Sequence, residues 1–131
     1  MKNKFDKAVA SCLERAMDMH VYLTDHPELS GEEYESCAYI VNACRAAHME
    51  VEEGFCDIPT AFRATVCRAQ NPVGEVAILC EYDALPSIGH GCGHSANGTI
   101  SFLGANALKI MDMMDSLPMD IDLIGTPDEE L

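Results

Sequence analysis

Glu75-Val-Ala-Ile-Leu-Cys80, followed at once by Glu81-Tyr-Asp-Ala-Leu-Pro-Ser-Ile-Gly-His-Gly-Cys-Gly-His94, is the stretch from which the fold of this chain is read. The first part is a nearly continuous apolar run, the pattern of a central strand covered on both faces. The second part is a loop rich in glycine that offers a carboxylate, a thiol and imidazoles. Downstream, the short apolar run Ile121-Asp-Leu-Ile124 is followed in the same way by Gly125-Thr-Pro-Asp-Glu-Glu130. In a layered α/β sheet, sites form beyond the carboxyl ends of strands. Both loops are expected there, side by side.

Working outward, Phe5 to about Asp25 spaces its apolar residues for an amphipathic helix. His26-Pro-Glu-Leu-Ser30 interrupts it, because proline disfavours helix in the residue before it. Ser30-Gly-Glu-Glu33 then has the form of a capping box and opens a second helix, about Glu32 to Met49. Val51 and Phe55 suggest a short strand, and Thr60 to Arg68 alternates like a half-buried one. Gln70-Asn-Pro-Val-Gly74 is turn chemistry, so the strands around Phe62 and Val76 are expected to pair as a hairpin. Ser95 or Asn97 is positioned to cap a helix running to about Met114. Helices packed on a mixed β-sheet, an α/β domain, is the architecture this order predicts.

With 131 residues the chain is long enough for one packed core. The net charge of −14 argues against a nucleic-acid partner, which requires a basic surface. No apolar run approaches the roughly 20 residues of a membrane span. The amino-terminal segment leads into an amphipathic stretch rather than an apolar signal region. The seven cysteines are an odd number in a chain with an ordinary core, which fits reduced thiols and a cytoplasmic location. His20 and His48 read as surface or packing residues. Cys92 is different, with glycine on both sides and histidine two residues away in each direction.

Thiolate, imidazole and carboxylate are the ligand set of zinc and similar metals. Cys92 and His94, one glycine apart, can turn towards a single ion. Asp83 suits an orienting role, accepting the other ring N–H of His94. Glu129 and Glu130 are adjacent on what reads as extended chain, so their side chains are expected on opposite sides. One can then bind a metal while the other faces substrate and takes a proton from the attacking water. A metal-free cysteine hydrolase built on Cys92 with His90 or His94 is the rival chemistry, and it leaves both glutamates without a role.

His26-Pro-Glu-Leu-Ser30, Thr60-Ala-Phe62, Glu81-Tyr-Asp-Ala-Leu-Pro86, Gly89-His-Gly-Cys-Gly-His94 and Gly125-Thr-Pro-Asp-Glu-Glu130 occur in an order that resembles the aminoacylase/carboxypeptidase superfamily of dinuclear metallohydrolases. The closest likeness is to its amidohydrolase branch, which includes aminobenzoyl-glutamate, N-acyl amino acid and auxin-conjugate hydrolases. The resemblance implies Cys92 as a bridging ligand, His94 as ligand to one ion and Glu130 to the other. Glu129 is then the general base, and Asp83 orients the site. It also implies two divalent ions (zinc first, manganese or cobalt otherwise) and an N-acyl amino acid or dipeptide substrate. Ser95 departs from the aspartate or asparagine usual at its position. Family members are longer and homodimeric, with two further histidine ligands and a lid domain. Residues 1–131 therefore read as the amino-terminal portion of a metallohydrolase catalytic domain without that lid. The expectation is half of a two-metal site, with weak metal binding and little catalysis alone. A non-catalytic binding module is the alternative.

Overall fold

The computed structural model describes residues 2–130, which form three helices against one side of a four-stranded sheet. Helix α1 spans Lys2–Asp25, α2 Tyr34–Ala46 and α3 His94–Met114. The strands are β1 (Glu50–Glu53), β2 (Phe62–Cys67), β3 (Glu75–Cys80) and β4 (Asp120–Gly125), in the spatial order β1-β2-β4-β3. β2 pairs antiparallel with both β1 and β4, whereas β3 and β4 run parallel, with α3 as their crossover. The expected mixed sheet is present. No helix among the described residues is long and apolar enough to cross a membrane.

The alternation read in Thr60–Arg68 does its expected work. Phe62, Ala64 and Val66 are buried, as are Ile121 and Leu123 of β4, while Arg63, Thr65 and Asp122 lie on the other face. The buried set packs against Met19 and Leu23 of α1, Ile40, Val41 and Cys44 of α2, and Phe102 and Ala105 of α3. The opposite face is polar and carries the Arg68–Asp122 ion pair at 2.6 Å.

The structure corrects several local expectations. The Phe62 and Val76 strands are not a hairpin, because β4 lies between them. The turn chemistry at Gln70–Gly74 is real. However, the seven residues from Arg68 to Gly74 can step across the roughly 10 Å of two strand spacings, and the α3 crossover fills the gap. Nor is β3 a central strand covered on both faces. It is an edge strand with Val76 45% and Leu79 55% exposed. Apolar character shows what a strand could bury, not what this chain supplies to bury it. β1 stops at Glu53, and Phe55 belongs to a short 3-10 turn.

The helix starts differ too. Ser30 and Glu33 form no capping box. The amides of Glu35 and Ser36 are instead capped by the carboxylate of Glu28, at 3.1 and 2.6 Å. Ser30 and Glu33 are drawn away by partners far along the chain. α3 begins at His94 with Gly93 as its N-cap (φ 92°), a left-handed conformation that glycine adopts without strain. Neither Ser95 nor Asn97 caps it, and the Asn97 amide oxygen instead accepts the N–H of Glu81 at 3.0 Å.

Candidate metal centre

The parallel register pairs Cys80 with Gly125, so the two loops leave adjacent strand ends in the same direction. Thr126 fastens the second loop to the first strand, its N–H and hydroxyl donating to the Cys80 carbonyl at 2.9 and 3.2 Å. Gly98 lets α3 come down onto the loop. A Cβ there would stand 2.6 Å from the Glu81 carbonyl oxygen, too close for any side chain. The amino end of α3, and with it His94, is thereby set against the residues that follow β3.

Asp83 is the centre of the arrangement. It is fully buried, and its Oδ1 lies 2.6 Å from His94 Nδ1. Its Oδ2 accepts from the Ser30 hydroxyl at 2.7 Å and from the amides of Glu129 and Glu130, each at 2.9 Å. Burial pushes the Asp83 pKa up. The hydrogen bonds from Ser30 and the Glu130 amide, together with His94, outweigh it and hold the carboxyl below its ordinary range. The orienting geometry expected of Asp83 is present.

The other imidazole nitrogen faces acids. His94 Nε2 is 3.0 Å from Glu81, 3.5 Å from Glu129 and 3.5 Å from Glu130. Ligand atoms of Cys92, His94 and Glu130 lie within 4.8 Å of one another, as do those of Glu81, His94 and Glu129. All five residues singled out from sequence are therefore brought together. Glu81, quoted as a carboxylate of the loop but given no role, joins them. Its signal was available as an acid two residues from Asp83 at a strand end.

The two adjacent glutamates do not point to opposite sides as expected. Both reach the same imidazole nitrogen. Asp128 takes a left-handed conformation (φ 61°), and Asp83 Oδ2 gathers both following amides, so the segment curls instead of running extended. A difference in exposure remains, with the Glu129 side chain 50% and the Glu130 side chain 24% exposed.

Three carboxylates converging on one imidazole nitrogen repel one another. Among the described residues, the ion pairs of Glu81, Glu129 and Glu130 all run to His94. Burial lowers the His94 pKa, but Asp83 and Glu81 raise it more, so the ring holds its proton more firmly than a free imidazole. Burial and the Glu130 carboxylate push the Cys92 thiol up. That environment opposes a cysteine nucleophile, which needs a depressed pKa. It suits a divalent cation, which replaces two protons and neutralises the acids. The donor set of thiol, imidazole and carboxylates fits such an ion. Beside Glu130 is a cavity of about 220 Å3 lined by Leu29, Ala84, Leu85 and Pro86 together with Ser30 and Glu32. A larger hollow of about 740 Å3 lies between the helices near Arg15, Tyr39 and His48, away from this chemistry. His90 is not part of either donor group, and burial holds its imidazole below its ordinary pKa.

No family model matches the chain. It is 32% identical to the mouse (Mus musculus) Xaa-Arg dipeptidase, over 99% of this chain and 32% of that protein. It is 33% identical to one of the polypeptides of the Escherichia coli p-aminobenzoyl-glutamate hydrolase, over 79% of this chain and 24% of that protein. The crystal structure of a Bacillus subtilis dinuclear metal-binding peptidase of the M20 family superposes with a TM-score of 0.74 at 25% identity, covering 89% of this chain and 36% of that one. The chain thus spans about a third or less of the length of these curated relatives. Sequence and fold together place the chain in the aminoacylase/carboxypeptidase superfamily of dinuclear metallopeptidases, as a partial region of such a protein.

Proposed function

We propose that this chain is the metal-binding portion of an amidohydrolase or peptidase that cleaves N-acyl or aminoacyl amino acid amides with water. The observation that carries the reading is the divided use of Asp83, one oxygen on His94 and the other on the amides of Glu129 and Glu130. Cys92, His94 and Glu130 would hold divalent metal, with zinc the first candidate and manganese or cobalt the others. When bound, the metal supplies Lewis acidity towards water and the substrate carbonyl. Asp83 retains the Nδ1 proton of His94, which leaves Nε2 free to act as a ligand. Glu129, the more exposed carboxylate, accepts a proton from the attacking water and returns it to the departing amine. The Leu29, Ala84, Leu85 and Pro86 wall of the cavity beside Glu130 suits an acyl group or apolar side chain.

All five histidines precede Glu129, so the two further histidine ligands implied by the family likeness are not within these 131 residues. One weakly held ion and little hydrolysis are the expected behaviour of the isolated chain. The seven thiols, all free, support a reducing, cytoplasmic setting. The net charge of −14 supports a small-molecule substrate rather than nucleic acid.

Titration of the purified chain with Co2+ and Zn2+ tests the reading. Cys92→Ser, His94→Ala and Glu130→Gln should each weaken binding by about tenfold or more, while Glu129→Gln retains it. Binding indifferent to the first three would sink the assignment. Vigorous metal-dependent hydrolysis of N-acyl amino acids by the 131-residue chain would overturn the half-site expectation.

A further inference from the structure

Glu33 has no part in the chemistry described so far, yet its carboxylate is entirely buried with no cationic partner among the described residues. A buried carboxylate is costly unless its oxygens are satisfied. Glu33 Oε1 accepts two amides, from Gly31 at 2.9 Å and from Asp128 at 2.8 Å, while Oε2 has no partner. Helix capping does not account for it, since the first-turn amides of Glu35 and Ser36 already belong to Glu28. The bond to Asp128 crosses 95 positions of sequence and ends on a residue in the left-handed region, φ 61°. A non-glycine residue persists there when its surroundings hold it in place. Glu129 and Glu130, which follow that left-handed turn directly, both reach the His94 Nε2.

We propose that Glu33 is a positioning residue for the metal-binding loop: its buried carboxylate fastens the Asp128 amide and so turns Glu129 and Glu130 together onto His94. Asp83 grips the next two amides from the other side, so the segment 128–130 is held between two buried carboxylates from different parts of the chain. The amino end of α2, which Glu33 immediately precedes, favours negative charge at that position. The assignment of Glu129 and Glu130 as base and ligand is the reading on which the functional meaning of this brace rests.

Residue-resolved amide hydrogen exchange on the full chain in chelator tests the brace without metal. In Glu33→Ala the amides of Asp128, Glu129 and Glu130 should exchange at least about tenfold faster, with those of β2 and β4 unchanged. Glu33→Asp, which keeps the charge but cannot reach as far, should behave like Glu33→Ala. Glu33→Gln should stay within a few-fold of the unaltered protein, because a single amide oxygen can accept both bonds. Co2+ titration adds the functional readout, with dissociation constants about 10- to 100-fold higher for the alanine and aspartate variants and an altered thiolate-to-cobalt absorption. Loop amides as protected as in the parent, or a loss of protection uniform over the whole protein, would overturn the proposal. If the unaltered chain fails to bind Co2+ while the loop amides respond as stated, the brace stands and the metal reading falls. If it binds Co2+ and the variants bind identically with the same absorption, the positioning role falls alone.

Discussion

Asp83 shows how much one buried carboxylate can organise when every oxygen lone pair has a use. Asp83→Asn substitutes a donor for one acceptor and must leave either His94 or the Ser30–Glu129–Glu130 group facing an N–H. A loss of about 1–3 kcal/mol in urea unfolding is expected, with metal affinity falling about 10- to 100-fold. His94 sets a pH dependence of stability. Its pKa is raised on folding, so its stabilising contribution is present below its unfolded value and is lost as pH rises through its folded value. In chelator, therefore, the stability gap between the parent and His94→Gln should be wider near about pH 6 than near about pH 8.5. A gap independent of pH would contradict it. Metal binding must run the other way. Cys92 and His94 both hold protons more firmly than usual, so apparent affinity for Zn2+ should strengthen as pH rises, with proton release seen by calorimetry in buffers of different ionisation enthalpy.

At the level of elements, the site depends on how closely α3 descends onto the loop after β3. Gly98→Ala places a methyl group against the Glu81 carbonyl, and the helix has to move. A cost of about 1–3 kcal/mol is expected, together with weaker metal binding, because His94 opens that helix. Leu123→Ala, deep in β4, should cost about 2–5 kcal/mol through lost burial and the cavity left behind. Thermal melts of the two variants separate the effects. Leu123→Ala lowers stability without altering the metal-loaded absorption spectrum, whereas Gly98→Ala changes both. Helix α2 shows how a start signal can be redirected. Ser30 and Glu33 stand at capping-box spacing, but each bonds elsewhere, to Asp83 and to Asp128.

For the whole molecule, the exposed apolar residues of β3 and the net charge of −14 act in opposite directions. An apolar edge strand invites pairing with another chain, and like charge resists it. Added NaCl should therefore raise the melting temperature of metal-free protein and, at high protein concentration, promote association. Leu79→Lys, at an exposed position on that strand, should suppress the association in sedimentation velocity with little loss of stability.

The local order of the sequence determined the helices, the alternation of β2, the mixed sheet and the identity of five clustered residues, because periodicity and ligand chemistry are properties of short segments. Strand neighbours were not legible in this way. The turn between β2 and β3 is compatible with a hairpin, and only the return of the chain through α3 inserts β4 between them. The site was legible in the same partial way. Cys92 and His94 advertise metal chemistry by type and spacing and Glu130 is singled out by the family resemblance, whereas Glu81 and Glu33 look like ordinary acids among many. Which of those acids is solvated and which is buried on an amide is settled by what the fold brings against them. The paired loops at 81–94 and 125–130 were written in the sequence. Their curvature, and the two buried carboxylates that impose it, exist only once residues 46 to 95 positions apart are packed together.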